Sequence, residues 1–201
     1  AAYQLGKPDE AVRLSQAAAD ARPNDVHILF NLGNVLLATG RPKEAITAFE
    51  RAIAIEPGQA EFHNNLGIAL SKSGQPDGAV AAHRHALEIK SDFADAHLCL
   101  GIALKALGRA EEAEDSYQRA IKINPDNPTA YLNLGNVLKA LGKFSEAESA
   151  YRRTIELRPD DAEAYQYLTS LKSQGSDDTE AEAMEKLAKD PSIGNEQAMH
   201  L

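Results

Sequence analysis

Glycine recurs at a fixed interval along this chain, and that interval constrains the fold more than any other feature. Gly33, Gly67, Gly101 and Gly135 lie 34 residues apart, as do Gly6, Gly40, Gly74, Gly108 and Gly142. These two columns hold nine of the 13 glycines. Leu32, Leu66, Leu100, Leu134 and Leu168 form a third column, and Ala11, Ala45, Ala79, Ala113, Ala147 and Ala181 a fourth. Pro23, Pro57, Pro125 and Pro159 make a fifth, with Ser91 in its one missing place. A period of this length marks stacked supersecondary units, each burying its apolar face only against its neighbours.

Each unit reads as two helices. Between Val26 and Thr39, apolar residues stand at Ile28, Leu29, Leu32, Val35 and Leu36, which is helical spacing. Gly40 then closes the helix, because glycine takes the left-handed conformation of a C-cap without a Cβ penalty. Pro42 opens the next helix, at a position whose N–H has no intrahelical partner to lose. Ala45, Ile46, Phe49, Ala52 and Ile53 give that helix its own apolar stripe, and Pro57 marks its end. Gly33 and Ala45 let the paired helices approach closely, with Phe49 filling the space beside them.

These residues resemble the tetratricopeptide repeat, a helix–turn–helix unit of the same length. The matching pattern is Leu29, Leu32, Gly33, Leu36, Ala45, Phe49, Ala52 and Pro57 in the first full unit. In the fourth it is Tyr131, Leu134, Gly135, Leu138, Ala147, Tyr151, Thr154 and Pro159. The second unit departs at His83, where an aromatic is usual, and at Ser91. The resemblance implies an all-α fold, a right-handed superhelical solenoid of antiparallel helix pairs forming one continuous domain. Full units are expected at 26–59, 60–93, 94–127 and 128–161. Residues 1–24 would supply a partial repeat, mainly its second helix. Residues 162–201 would form a degenerate repeat, with a polar turn at 174–178, a second helix at 179–189 and a further helix starting near Asn195. The acidic residues Asp177, Asp178, Glu180 and Glu182 would partly cap the array or simply face water.

In this family the first helices line a concave groove, which implies a noncatalytic protein-interaction scaffold that holds an extended or helical peptide segment of a partner. By the family's pattern the sixth position of each unit faces that groove, and here it holds Asn31, Asn65, Cys99 and Asn133. The ninth holds Asn34, Ile68, Ile102 and Asn136, and the fifth holds Phe30, Asn64, Leu98 and Leu132. An asparagine amide both donates and accepts, so it can pair with a peptide main chain whatever the side chain. Neighbouring helices pack roughly 8–10 Å apart and an extended chain advances about 3.4 Å per residue. One Asn per repeat would therefore meet about every third residue of a bound segment. The arrangement is similar to the asparagine ladder of O-linked N-acetylglucosamine transferases, with Cys99 interrupting it. The alternative is that these amides satisfy helix ends or face water. The apolar members suggest a groove with an aliphatic middle, or else packing between neighbouring helices. The groove also departs from the chaperone-binding members that grip a terminal carboxylate. Their basic positions are occupied here by Phe30, Asp95 and Cys99, although Asn34 and Asn65 match.

Other chemistry finds little footing. Thirty acidic residues against 21 basic ones give a formal charge of -9, which opposes binding to a phosphate backbone. A lone Cys99 forms no internal disulfide. No apolar run reaches the roughly 20 residues of a membrane helix, and Lys7, Asp9 and Glu10 do not suit a signal peptide. A cytoplasmic location is expected. The Ala-Ala-Tyr start suggests an excised fragment. Six histidines invite a metal hypothesis, but His83 and His85 diverge on one helix and His63 and His97 sit at packing positions. The acidic run Glu111, Glu112, Glu114 and Asp115 reads as a solvated outer face. No cofactor and no catalytic constellation is expected. Residues 162–201 resemble the segment following the repeats in bacterial repeat-linked sulfotransferases. The second reading is therefore a substrate-presenting or structural arm of a larger sulfotransferase or glycosyltransferase. Unfinished repeats at both ends would also favour end-to-end self-association.

Overall fold

The computed structural model describes residues 8–172. Among them are ten helices and no strand: α1 (Pro8–Ala21), α2 (Val26–Ala38), α3 (Pro42–Ile55), α4 (Ala60–Lys72), α5 (Pro76–Ile89), α6 (Ala94–Ala106), α7 (Ala110–Ile123), α8 (Pro128–Ala140), α9 (Phe144–Leu157) and α10 (Ala162–Lys172). The fold is all-α and built from helix hairpins. The expected polar turn at 174–178, the helix at 179–189 and the acidic cap lie outside the described residues.

Helix boundaries follow the punctuation in the sequence. Gly40, Gly74 and Gly142 stand just past α2, α4 and α8 with φ of 74°, 80° and 76°, the left-handed region where a side chain would be strained. Pro42 and Pro76 open α3 and α5. Asp25 caps α2 by accepting from the Ile28 N–H at 3.2 Å, and Asn127 caps α8 through the Ala130 N–H at 3.3 Å.

The chain divides into two compact units between Gly108 and Arg109. In the first, α1 to α6 pack sequentially, and the first helices of successive hairpins also touch, α2 on α4 and α4 on α6. Its core gathers Leu29, Leu32, Leu36, Ala45, Phe49, Ala52 and Phe62. The Phe30 ring lies 5.7 Å from Phe49 and 4.8 Å from Phe62, so aromatic packing runs through two hairpins.

In the second unit α7 to α10 pack sequentially around Leu134, Val137, Leu138, Tyr151 and Leu168. Here the acidic run departs from expectation. Glu111, Glu112 and Asp115 are exposed, but Glu114 is buried, and both of its carboxylate oxygens accept from Lys143 Nζ at 2.7 Å. Period alone cannot see this pair, since it joins α7 to the residue preceding α9. The bond to Glu114 is also what chiefly raises the Lys143 pKa above its usual value.

Candidate functional site

The hairpin interior decides which side chains remain for the groove. In the α4/α5 hairpin, His83 is fully buried and its ring lies flat against Gly67. A Cβ added at Gly67 would sit 2.6 Å from the ring Cε1, so this helix pair closes only because position 67 lacks a side chain. Phe49 bears on Gly33, and Tyr151 on Gly135, in the same way. His83 thus fills the aromatic place of the repeat. His83 Nδ1–H donates to Asn64 Oδ1 at 2.9 Å, which leaves Nε2 unprotonated and without a hydrogen-bond partner. Burial drops its pKa from 6.5 to about 4.

That bond reassigns Asn64. It is only 4% exposed, and its amide faces the hairpin interior rather than the groove. The other fifth positions, Phe30, Leu98 and Leu132, are apolar. Asn64 is polar because His83 is polar, and both departures fall in one repeat. That coincidence is the sequence signal that identifies the pair.

The histidines at 63 and 97 are structural in the same sense. His63 Nε2–H donates to the Pro57 carbonyl at 2.9 Å and His97 Nε2–H to the Ser91 carbonyl at 3.0 Å, two equivalent bonds one repeat apart. His85 is exposed, with Nδ1 2.8 Å from Glu88 Oε2, and its ring meets His63 edge-on at 4.5 Å. Among the described residues no group of three or more His, Cys, Asp or Glu side chains could hold a metal ion. No described helix is long and apolar enough to cross a membrane.

On the first helices of the first unit, the expected groove residues differ in what they offer. Asn31 is exposed, and Asn34 and Asn65 are half-buried. Asn65 Nδ2 donates to Asn34 Oδ1 at 2.7 Å, bridging α2 and α4. Phe30, Ile68, Leu98 and Cys99 are half-buried, while Ile102 is 42% exposed. Burial, and after it the charge of Asp95, pushes the Cys99 thiol up to about 11, so it remains protonated and is a poor nucleophile near neutrality.

In the second unit Leu132 is buried. Asn133 Nδ2 donates back to the Thr129 carbonyl of its own helix at 2.9 Å. Asn136 Oδ1 accepts from the Tyr151 hydroxyl at 2.9 Å. Tyr151 packs against Tyr167 with ring centroids 5.5 Å apart and the planes tilted by 33°, and Lys139 Nζ lies 5.5 Å from the Tyr167 centroid while donating to Ser170 Oγ at 3.1 Å. The sixth-position asparagines therefore have three different surroundings: open at Asn31, bridged at Asn65 and self-bonded at Asn133.

Comparison with known proteins agrees with this architecture. The family described as the cilia and flagella-associated protein 70 C-terminal domain, a tetratricopeptide-repeat domain, matches residues 1–201. The crystal structure of MamA is similar at 26% identity with a TM-score of 0.72, over 80% of this chain and 94% of MamA. TTC0263, a thermophilic tetratricopeptide protein of Thermus thermophilus, is 23% identical with a TM-score of 0.67, over 84% of this chain and 92% of its own. YrrB, described as a tetratricopeptide protein with an unusual peptide-binding site, is 21% identical with a TM-score of 0.68, over 92% of this chain and 96% of its own. Comparison with curated proteins finds no match.

Proposed function

Since the chain belongs to the tetratricopeptide-repeat family of the cilia and flagella-associated protein 70 C-terminal domain, we propose that this protein-interaction scaffold binds an extended segment of a protein partner along the first helices α2, α4 and α6. The observation that carries this reading is the make-up of that face. The exposed amide of Asn31 and the half-buried amides of Asn34 and Asn65 share these helices with the half-buried aliphatic and thiol groups of Ile68 and Cys99. Amides serve a peptide main chain, and the aliphatic stretch serves an uncharged side chain. The peptide-binding site for which YrrB is described gives the same fold a precedent. Within the second unit, Asn133 and Asn136 are already bonded to the Thr129 carbonyl and the Tyr151 hydroxyl, and a ligand there would compete with those bonds.

The test is a display-library screen of extended peptides against the wild-type chain and an Asn31→Ala/Asn65→Ala/Asn133→Ala variant. Peptides retained by the wild type and lost by the variant, with helical content unchanged, support the reading. Peptides bound equally by both would move the contact to another face and refute it.

A further inference from the structure

We infer that the α4/α6 face selects a partner segment whose acidic and basic side chains alternate, an assignment that rests on the groove reading above. Glu61, Asn65, Ile68 and Lys72 follow one another at helical steps of four, three and four, so they share one face of α4. Asp95, Cys99, Ile102 and Lys105 do the same on α6. Each helix thus carries an acid in its first turn, a base in its last and an isoleucine between them. All four charged residues are exposed, and so is Ile102.

These charges have little to pair with inside the chain. Opposite charges three residues apart do pair, as Arg41 with Glu44 and Arg109 with Glu112. On α4 and α6 they stand 11 and 10 residues apart, which is about 15–17 Å of helix at 1.5 Å per residue and beyond a screening length of roughly 8 Å. Among the described residues Lys72, Asp95 and Lys105 form no ion pair, and Glu61 has only Lys90, at 3.9 Å. Helix α5 runs back between α4 and α6, so these two lie parallel and in contact. Like charges are therefore neighbours, Glu61 with Asp95 and Lys72 with Lys105. Such rows repel internally until opposite charges from outside meet them. The placement also suits the helix dipole, yet α2 does without either charge.

The formal charge of -9 alone would favour a basic partner. Here two acids and two lysines cancel, and a polybasic segment would meet Lys72 and Lys105 with its own sign. An extended segment lying over Ile68 and Ile102 runs between the rows, about 6–10 Å along the helix from each. Its successive side chains point to opposite sides. Acids then fall on one parity, toward the lysines, and bases on the other, toward Glu61 and Asp95.

The test compares three nine-residue peptides built around a central leucine: Lys and Glu alternating, the same residues in two blocks, and lysine throughout. The alternating peptide should bind the wild-type chain at least tenfold more tightly than the other two, and less tightly as salt rises. Glu61→Lys/Asp95→Lys and Lys72→Glu/Lys105→Glu should each erase that preference with helical content unchanged. Combining all four substitutions exchanges the rows and should restore it, which a variant that merely misfolds would not do. No binding of the alternating peptide, equal binding of the blocked one, a preference for polylysine, or indifference to the double variants would overturn the proposal. A dimer in sedimentation that either double variant dissociates would give this face to a second copy and overturn it as well. The groove reading stands or falls separately, on whether the screened peptides need the asparagines.

Discussion

Acid should loosen the α4/α5 hairpin through one residue, and the size of the effect follows from the site. His83 is fully buried, its Nδ1–H is committed to Asn64, and its Nε2 meets no partner. Charging the ring places a second N–H where nothing accepts it. The folded-state pKa is accordingly about 4, against 6.5 for a free histidine. The unfolded chain therefore binds the proton first, and stability falls as pH drops. The contribution is complete above about pH 6.5, declines from there to about pH 4, and is flat below. A gap of about 2.5 pH units corresponds to roughly 3 kcal/mol at about 1.4 kcal/mol per unit. The assay is urea unfolding of the wild type and of His83→Phe at steps from pH 7.5 to 3.5, the difference cancelling titrations common to both. His83→Phe leaves Asn64 Oδ1 unpaired, at about 1–3 kcal/mol, so it should be the less stable protein at pH 7.5. Toward pH 4 the difference should move by roughly 3 kcal/mol in the variant's favour, closing or reversing the gap. An NMR titration of the His83 Cε1 proton should give a midpoint near 4. A constant difference across the range, or a midpoint near 6.5, would refute the account of the buried ring.

Two further outcomes test the packing. Gly135→Ala would set a Cβ 2.5 Å from Tyr151 Cε1, and the forced shift should destabilise by about 1–3 kcal/mol; an unchanged melting temperature would mean that the hairpin can open without cost. Asp161 is buried and accepts from the Ala164 N–H at 2.9 Å, besides pairing with Arg158, so Asp161→Ala should remove about 0.5–2 kcal/mol and speed amide exchange in α10 first. Exchange that rises uniformly across the chain would show that this cap is not local.

Much of the fold was legible because it depends on properties that belong to single positions. A left-handed turn needs glycine, so Gly40, Gly74 and Gly142 end their helices wherever they occur. A close helix contact needs a missing Cβ opposite a large ring, so Gly33, Gly67 and Gly135 predict the places of Phe49, His83 and Tyr151. Both requirements recur with the repeat, and the sequence by itself determined the helices, their order and their pairing within hairpins.

What each polar side chain does was decided only by tertiary structure. Asn64 and Asn65 are neighbours in sequence and both fall in the expected groove set, yet one points into the hairpin at His83 and the other across to Asn34. Asn34 and Asn136 share a repeat position, yet one accepts from Asn65 and the other from the Tyr151 hydroxyl, because both the facing ring (Phe49 or Tyr151) and the residue 31 places on (Asn65 or Tyr167) differ. Glu114 lies within an acidic run and is nevertheless buried against Lys143, 29 residues away. Apolar burial is additive and nearly directionless, so a periodic pattern is enough to specify it. Hydrogen bonds are directional and exclusive, and their partners are fixed only once packing has brought particular atoms within about 3 Å of one another.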